Sequence, residues 1–203
     1  MSTQYTGRLG LVRHGQTSAN IDQVWHGYTD TPLTALGQAQ AQKLGSHFHH
    51  YMQPDVIYAS PLQRAKITAQ AIASNHNIEV NLDPRLMEFN LGDWEGRSFQ
   101  ELRDDGNIIE QLVSNPDFTP PNGESQNQVK ERFVAAIEDI VSRHPQQNVV
   151  LVAHGAAIGI ALSHYLHGDS RRWPKYSKAN TAFTEFCLNS SSLISYNNTA
   201  HLD

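Results

Sequence analysis

One cysteine, no long apolar run and no block of like charge: these absences narrow the 203-residue chain before any motif is read. Cys187 has no second cysteine to pair with, so no internal disulfide can form, and its alternating surroundings read as a buried strand with Cys187 a small core residue. No apolar run approaches the roughly 20 residues that span a bilayer. Residues 1–11 also lack the basic start and apolar stretch of a signal peptide, so a cytoplasmic location and no membrane partner are expected. The 20 acids and 15 bases are dispersed to a net charge of -5, and without a basic stripe no nucleic-acid partner is expected. From Asp104 to Val129 there is no lysine, arginine or histidine. No repeat or linker divides the chain, so residues 1–203 read as one domain long enough to bury a core.

What is present alternates between strand and helix character, which points to an α/β fold: a three-layer α/β/α sandwich with a largely parallel central sheet. Residues 8–13 form an apolar run that delivers Arg13 and His14 to a strand's carboxyl end, where ligands bind in open α/β sheets. Thr34 caps a helix to about residue 51, and 55–59 is the next strand. Ser60-Pro61 reads as an N-cap and first-turn proline for a helix through Ala73, with Arg64 one turn inside. A third strand over 78–82 leads into an ordered loop over 83–96 that carries Glu88. Short helices over 98–105 and 107–115 and a Pro/Gly-rich connection make residues 92–124 a small helical lid. A helix over 124–144, a buried strand over 148–153 and a helix over 156–167 follow. A basic connector with Arg171, Arg172, Lys175 and Lys178 leads to strands near 182–188 and 193–196, and the last residues are expected to fray.

Four motifs stand at the expected strand ends and helix starts. They are Leu11-Val12-Arg13-His14-Gly15-Gln16-Thr17, Ser60-Pro61-Leu62-Gln63-Arg64-Ala65, Glu88 before Gly92-Asp93-Trp94-Glu95-Gly96, and Val152-Ala153-His154-Gly155. In sequence and order they resemble the histidine phosphatase (phosphoglycerate mutase-like) superfamily, branch 1, across nearly the whole chain. The resemblance implies a phosphohistidine intermediate on His14, with Glu88 as general acid and then base. It also implies that Asn20 and Thr17 contact phosphate or substrate, and that no metal and no cofactor are used.

The residue types suit that chemistry. A phosphomonoester carries about two negative charges near neutral pH, and the arginine forks of Arg13 and Arg64 would neutralise and hold them. His14 can attack as neutral imidazole if one ring nitrogen is free and the other donates to a fixed acceptor, with Gly15 permitting a tight turn. His154 is expected to be protonated or strongly donating toward a phosphate oxygen. Gly155 either offers its N–H to phosphate or simply turns the chain. Glu88 needs a raised pKa to act as an acid. Glu95 and Asp93 lie close enough in sequence to be rivals for that role.

Other features read more plainly. The segment His47-Phe48-His49-His50 is a solvated helix end, since nothing nearby completes a metal site. Trp94 and Trp173 read as packing residues no less than as pocket walls. The uncharged-to-acidic stretch 104–129 would repel a second anionic group on a substrate, which favours hydrolysis of a small soluble phosphomonoester, with broad specificity, over phosphoglycerate mutase-type transfer. The basic connector tempers that preference. A non-catalytic phosphate-binding module and a metal-dependent hydrolase are the alternatives from other classes. Either a monomer or a homodimer is expected.

Overall fold

Side chains alternate along a strand, so a strand buried on both faces must be apolar throughout, and β1 (Leu9–Arg13), β2 (Val56–Ala59) and β4 (Val149–Ala153) nearly are. The computed structural model describes residues 5–106, 108–176 and 179–203. With β3 (Val80–Leu82), β5 (Phe183–Cys187) and β6 (Ser192–Asn198), these strands form one six-stranded sheet in the order β3-β2-β4-β1-β5-β6. The first four in that order are parallel, whereas β5 runs antiparallel to β1, and β6 antiparallel to β5.

The helices are α1 (Ser18–Ile21), α2 (Ala35–His47), α3 (Gln63–Ser74), α4 (Phe99–Asp104), α5 (Ile108–Ser114), α6 (Gln126–Arg143) and α7 (Gly155–His167). Leu11, Tyr58, Leu151 and Ala153 pack with Phe133, Ile137 and Ile140 of α6 and with α7, in a cluster that Leu102, Ile108 and Leu112 of α4 and α5 join. Val12, Ile57, Val150 and Val152 face the opposite way, onto Leu44 of α2 and Ala65, Ala69 and Ile72 of α3. Two layers of helix thus sandwich the sheet. Emptying one such position, for example Phe133→Ala, costs about 3–5 kcal/mol.

Three local expectations need correction. Ser60 does not cap α3: Leu62 occupies the N-cap, Gln63 is the first helical residue and the carboxylate of Asp30 accepts the Gln63 N–H, so Arg64 lies in the first turn. Cys187 is half-buried at the end of β5 instead of in the core. The C-terminus does not fray, because Ala200–Leu202 forms a 3-10 turn that buries His201. Tyr51 Oη lies 2.9 Å from His201 Nδ1, and His201 Nε2 lies 2.9 Å from Thr181 Oγ1. Thr34 caps α2 as expected, its hydroxyl accepting the Gly37 N–H.

Candidate active site

Parallel register sets the site. Arg13 lies opposite Ala153 across β1 and β4, so the next residues, His14 and His154, leave the sheet side by side with ring centroids 5.2 Å apart. Both rings are buried. A cavity of about 480 Å³ opens here, and Arg13, His14, Asn20, Glu88 and Gly155 line it together with residues of the loops around them.

His14 Nδ1 lies 2.7 Å from the Gly15 carbonyl, so Nδ1 carries the hydrogen and donates, leaving Nε2 with its lone pair. Burial, then the charges of Arg64 and Arg13, hold the His14 pKa well below the usual 6.5, so the ring is neutral. Its backbone carbonyl accepts from Asn180 Nδ2 at 3.0 Å and from the Thr181 N–H at 3.2 Å. Gly15 is demanded by proximity and not by the turn expected for it: a Cβ there would sit 2.5 Å from the Gly37 carbonyl oxygen.

Arg64 is fully buried, and its guanidinium is spent mostly on the protein. Nε donates to His154 Nδ1 at 3.3 Å, Nη1 to the Thr29 carbonyl, and Nη2 to the His26 and Gly27 carbonyls, which uses four of its five hydrogens. Asp30 adds a longer ion pair at 3.8 Å. Burial pushes the Arg64 pKa down to about 10, which still leaves it charged at neutral pH. The two-armed clamp expected of Arg13 and Arg64 is therefore unequal: Arg13 lines the cavity, while Arg64 stands behind His154. Burial also lowers the Arg13 pKa, and the charge of Glu88 opposes that shift.

Because Arg64 fills His154 Nδ1 as a donor, the His154 hydrogen belongs on Nε2, an atom that is buried without a hydrogen-bond partner among the described residues. Burial and Arg64 hold this ring neutral, so His154 offers a neutral N–H and is not protonated. Glu88 is also arranged differently from expectation. Its carboxylate accepts the N–H groups of Phe89, Ala156 and Ala157 at 2.9, 3.1 and 2.9 Å, which satisfies two amides at the start of α7. Arg132 fixes its backbone by donating to the carbonyls of Arg85, Met87 and Glu88. The rivals serve elsewhere: Glu95 accepts from the Tyr28 and Thr29 amides, and Asp93 from Asn122.

Thr17 does not line the cavity. It is fully buried as the N-cap of α1, where its hydroxyl accepts the Asn20 N–H and Asn20 Oδ1 accepts the Thr17 N–H. Asn20 does line the cavity, bonded to Asn180 Nδ2 and 3.4 Å from His26 Nε2. Gly155 lines it too, and a Cβ there would come within 3.4 Å of Arg13 Nε. Arg171, Arg172 and Lys175 are exposed, with Arg171 bound to Asp169, and the turn that carries them presents Trp173 and Pro174 to the cavity. Lys178 lies outside the described residues.

Sequence reading passed over Val24, Trp25, His26, Phe99 and Asn180, all of which line the cavity, as does Trp173, which it had weighed as a pocket wall. Trp94 instead stacks on Phe118, away from it. The only usable signal was the aromatic content of 24–26 next to the nucleophile loop. Among the described residues no group of three or more His, Cys, Asp or Glu is placed to hold a metal ion, the His47–His50 segment included, where His49 and His50 are exposed.

A sheet whose carboxyl edge presents a neutral, oriented histidine beside an arginine and a second histidine defines an enzyme of phosphoryl transfer or hydrolysis. Residues 9–198 match the model of the histidine phosphatase superfamily (branch 1), and the chain belongs to that family. It is 35% identical over 161 residues to the adenosylcobalamin/alpha-ribazole phosphatase of Escherichia coli, covering 77% of each chain. It is likewise 35% identical over 155 residues to a probable phosphoglycerate mutase of Escherichia fergusonii, covering 75% of this chain and 72% of that one. Among solved structures, the phosphoserine phosphatase of Entamoeba histolytica in complex with 3-phosphoglyceric acid superposes with a TM-score of 0.87 at 32% identity, over 98% of this chain and 100% of that one.

Proposed function

We propose that the protein hydrolyses small phosphomonoesters through a phosphohistidine on His14 Nε2. The observation that carries this reading is the bond from His14 Nδ1 to the Gly15 carbonyl, which fixes the tautomer and leaves Nε2 unprotonated in a cavity shared with Arg13 and Glu88. In this scheme Arg13 holds the phosphoryl oxygens, with the Gly155 N–H at the start of α7 as a further donor. His154 Nε2–H donates to an equatorial oxygen as charge builds. Arg64 orients His154 and adds its charge from behind.

Glu88 is the proposed proton donor to the leaving alkoxide and then the base that activates water. Residues 92–124 act as the lid, with Phe99 at the cavity wall. The absence of basic residues from 104 to 129 supports hydrolysis over transfer from a bisphosphate. We place the enzyme in the cytoplasm, without metal or cofactor. Of monomer and homodimer, the open edge strand β6 with Ile194 60% exposed favours the homodimer.

The test is phosphate release from a generic phosphomonoester in the presence of EDTA by the wild type and by His14→Ala, with acid-labile protein phosphorylation followed in parallel. Release by the wild type alone, with label on His14, supports the proposal. Phosphorylation by 2,3-bisphosphoglycerate without release favours a mutase, and silence in both assays favours a binding module.

A further inference from the structure

The cavity has two chemically distinct halves. One part of the lining is polar, with Arg13, His14, Asn20, Glu88 and Asn180, and the other is Val24, Trp25, Phe99, Trp173 and Pro174. Trp25 anchors that wall through edge-on contacts to Phe99 at 5.5 Å and Trp173 at 6.1 Å, and its indole N–H is already taken by the Phe89 carbonyl. Phe99 stays 36% exposed, leaving apolar surface that a ligand ring would cover. At about 480 Å³ the cavity is sized for a ligand well beyond phosphate alone.

Charge narrows the ligand further. Arg13 and Glu88 are the only Asp, Glu, Lys or Arg among the described lining residues, and the phosphate claims Arg13. A second anion on the substrate would meet aromatic faces and the Glu88 carboxylate. Two buried polar atoms of the lining lack partners among the described residues, His26 Nδ1 and Trp173 Nε1. His26 is 9% exposed, and an unpartnered polar atom at such depth is costly until a ligand group reaches it.

We propose that the leaving-group half of this site takes an uncharged alcohol bearing a flat, largely apolar ring, with a hydrogen-bonding group for His26 or Trp173, and discriminates against esters that carry a second anion. This rests on the phosphatase reading above. Three esters of primary alcohols separate the possibilities at matched leaving-group chemistry: 2-phenylethyl phosphate, glycerol 3-phosphate and 3-phosphoglycerate.

Expected is a kcat/KM for 2-phenylethyl phosphate about tenfold above the other two, and a severalfold loss of that ratio in Phe99→Ala at unchanged Tm. Equal values, or a preference for 3-phosphoglycerate, overturns the assignment. Should none of the esters turn over, the phosphatase reading fails, and tryptophan fluorescence titration of His14→Ala decides the ligand class alone. A tighter Kd for 2-phenylethyl phosphate than for 3-phosphoglycerate then upholds it, and the reverse or equality overturns it.

Discussion

Arg64 Nε donates to His154 Nδ1 across 3.3 Å, so one arginine dictates which nitrogen of its neighbour carries the hydrogen. The same guanidinium ties down the carbonyls of His26, Gly27 and Thr29. Arg64→Lys keeps the charge but cannot make this fan of bonds. We expect kcat to fall about 100-fold and stability to drop by about 3 kcal/mol or more. Nitrogen NMR of His154 should shift from an Nε2–H tautomer to a mixture, and wild-type kcat in the variant would sink the assignment.

Glu88→Gln tests the proposed proton donor. The amide cannot protonate a leaving group, so kcat for an alkyl phosphate should fall about 10²–10⁴-fold. An ester of a good leaving group such as 4-nitrophenol needs little protonation and should lose far less. Equal losses on both would mean that Glu88 serves only as the cap of α7.

Protonation of His14, the proposed nucleophile, should set the acid side of the activity profile. The His14 pKa is held well below 6.5 by burial and by Arg64 and Arg13, so neutral imidazole persists as the pH falls below 6.5. After correction for the substrate's own ionisation, near pH 6, kcat/KM should show no loss attributable to a histidine of ordinary pKa between pH 7 and 5.5. A limb centred at 6.5 would mean that the nucleophile is solvated.

Acid should unfold this protein through its histidines before its carboxylates. His26 is lowered from 6.5 to about 3 and His201 to about 4, both chiefly by burial, and His14 and His154 move the same way. Below pH 6.5 the unfolded chain takes up protons that the native state refuses, so stability is full above 6.5 and lost as the pH falls. The urea midpoint should decline from pH 7 to 5, less steeply in His201→Asn. A flat midpoint over that window refutes the idea.

The sheet and the strand ends that carry His14 and His154 were legible because apolar runs ending in Arg-His-Gly and His-Gly state both their burial and their boundary. The aromatic part of the cavity was not, since Trp25, Phe99 at the start of α4 and Trp173 come from three separate segments, and nothing in their spacing announces it. The start of α3 misled for a related reason: Asp30, more than thirty residues upstream of Gln63, supplies the acceptor that Ser60 seemed placed to provide. Thr17 lies in the same loop as His14, yet its hydroxyl accepts the Asn20 N–H as the cap of its own helix, a local use that the spacing does not announce.

Asn180 and Thr181 grip the carbonyl of His14, and β1 is paired only with β4 and β5. A nascent chain that has just displayed His14 therefore lacks both donors to its carbonyl until residues 180 and 181 have left the ribosome. Assembly of the site thus waits on a residue 166 positions downstream of His14.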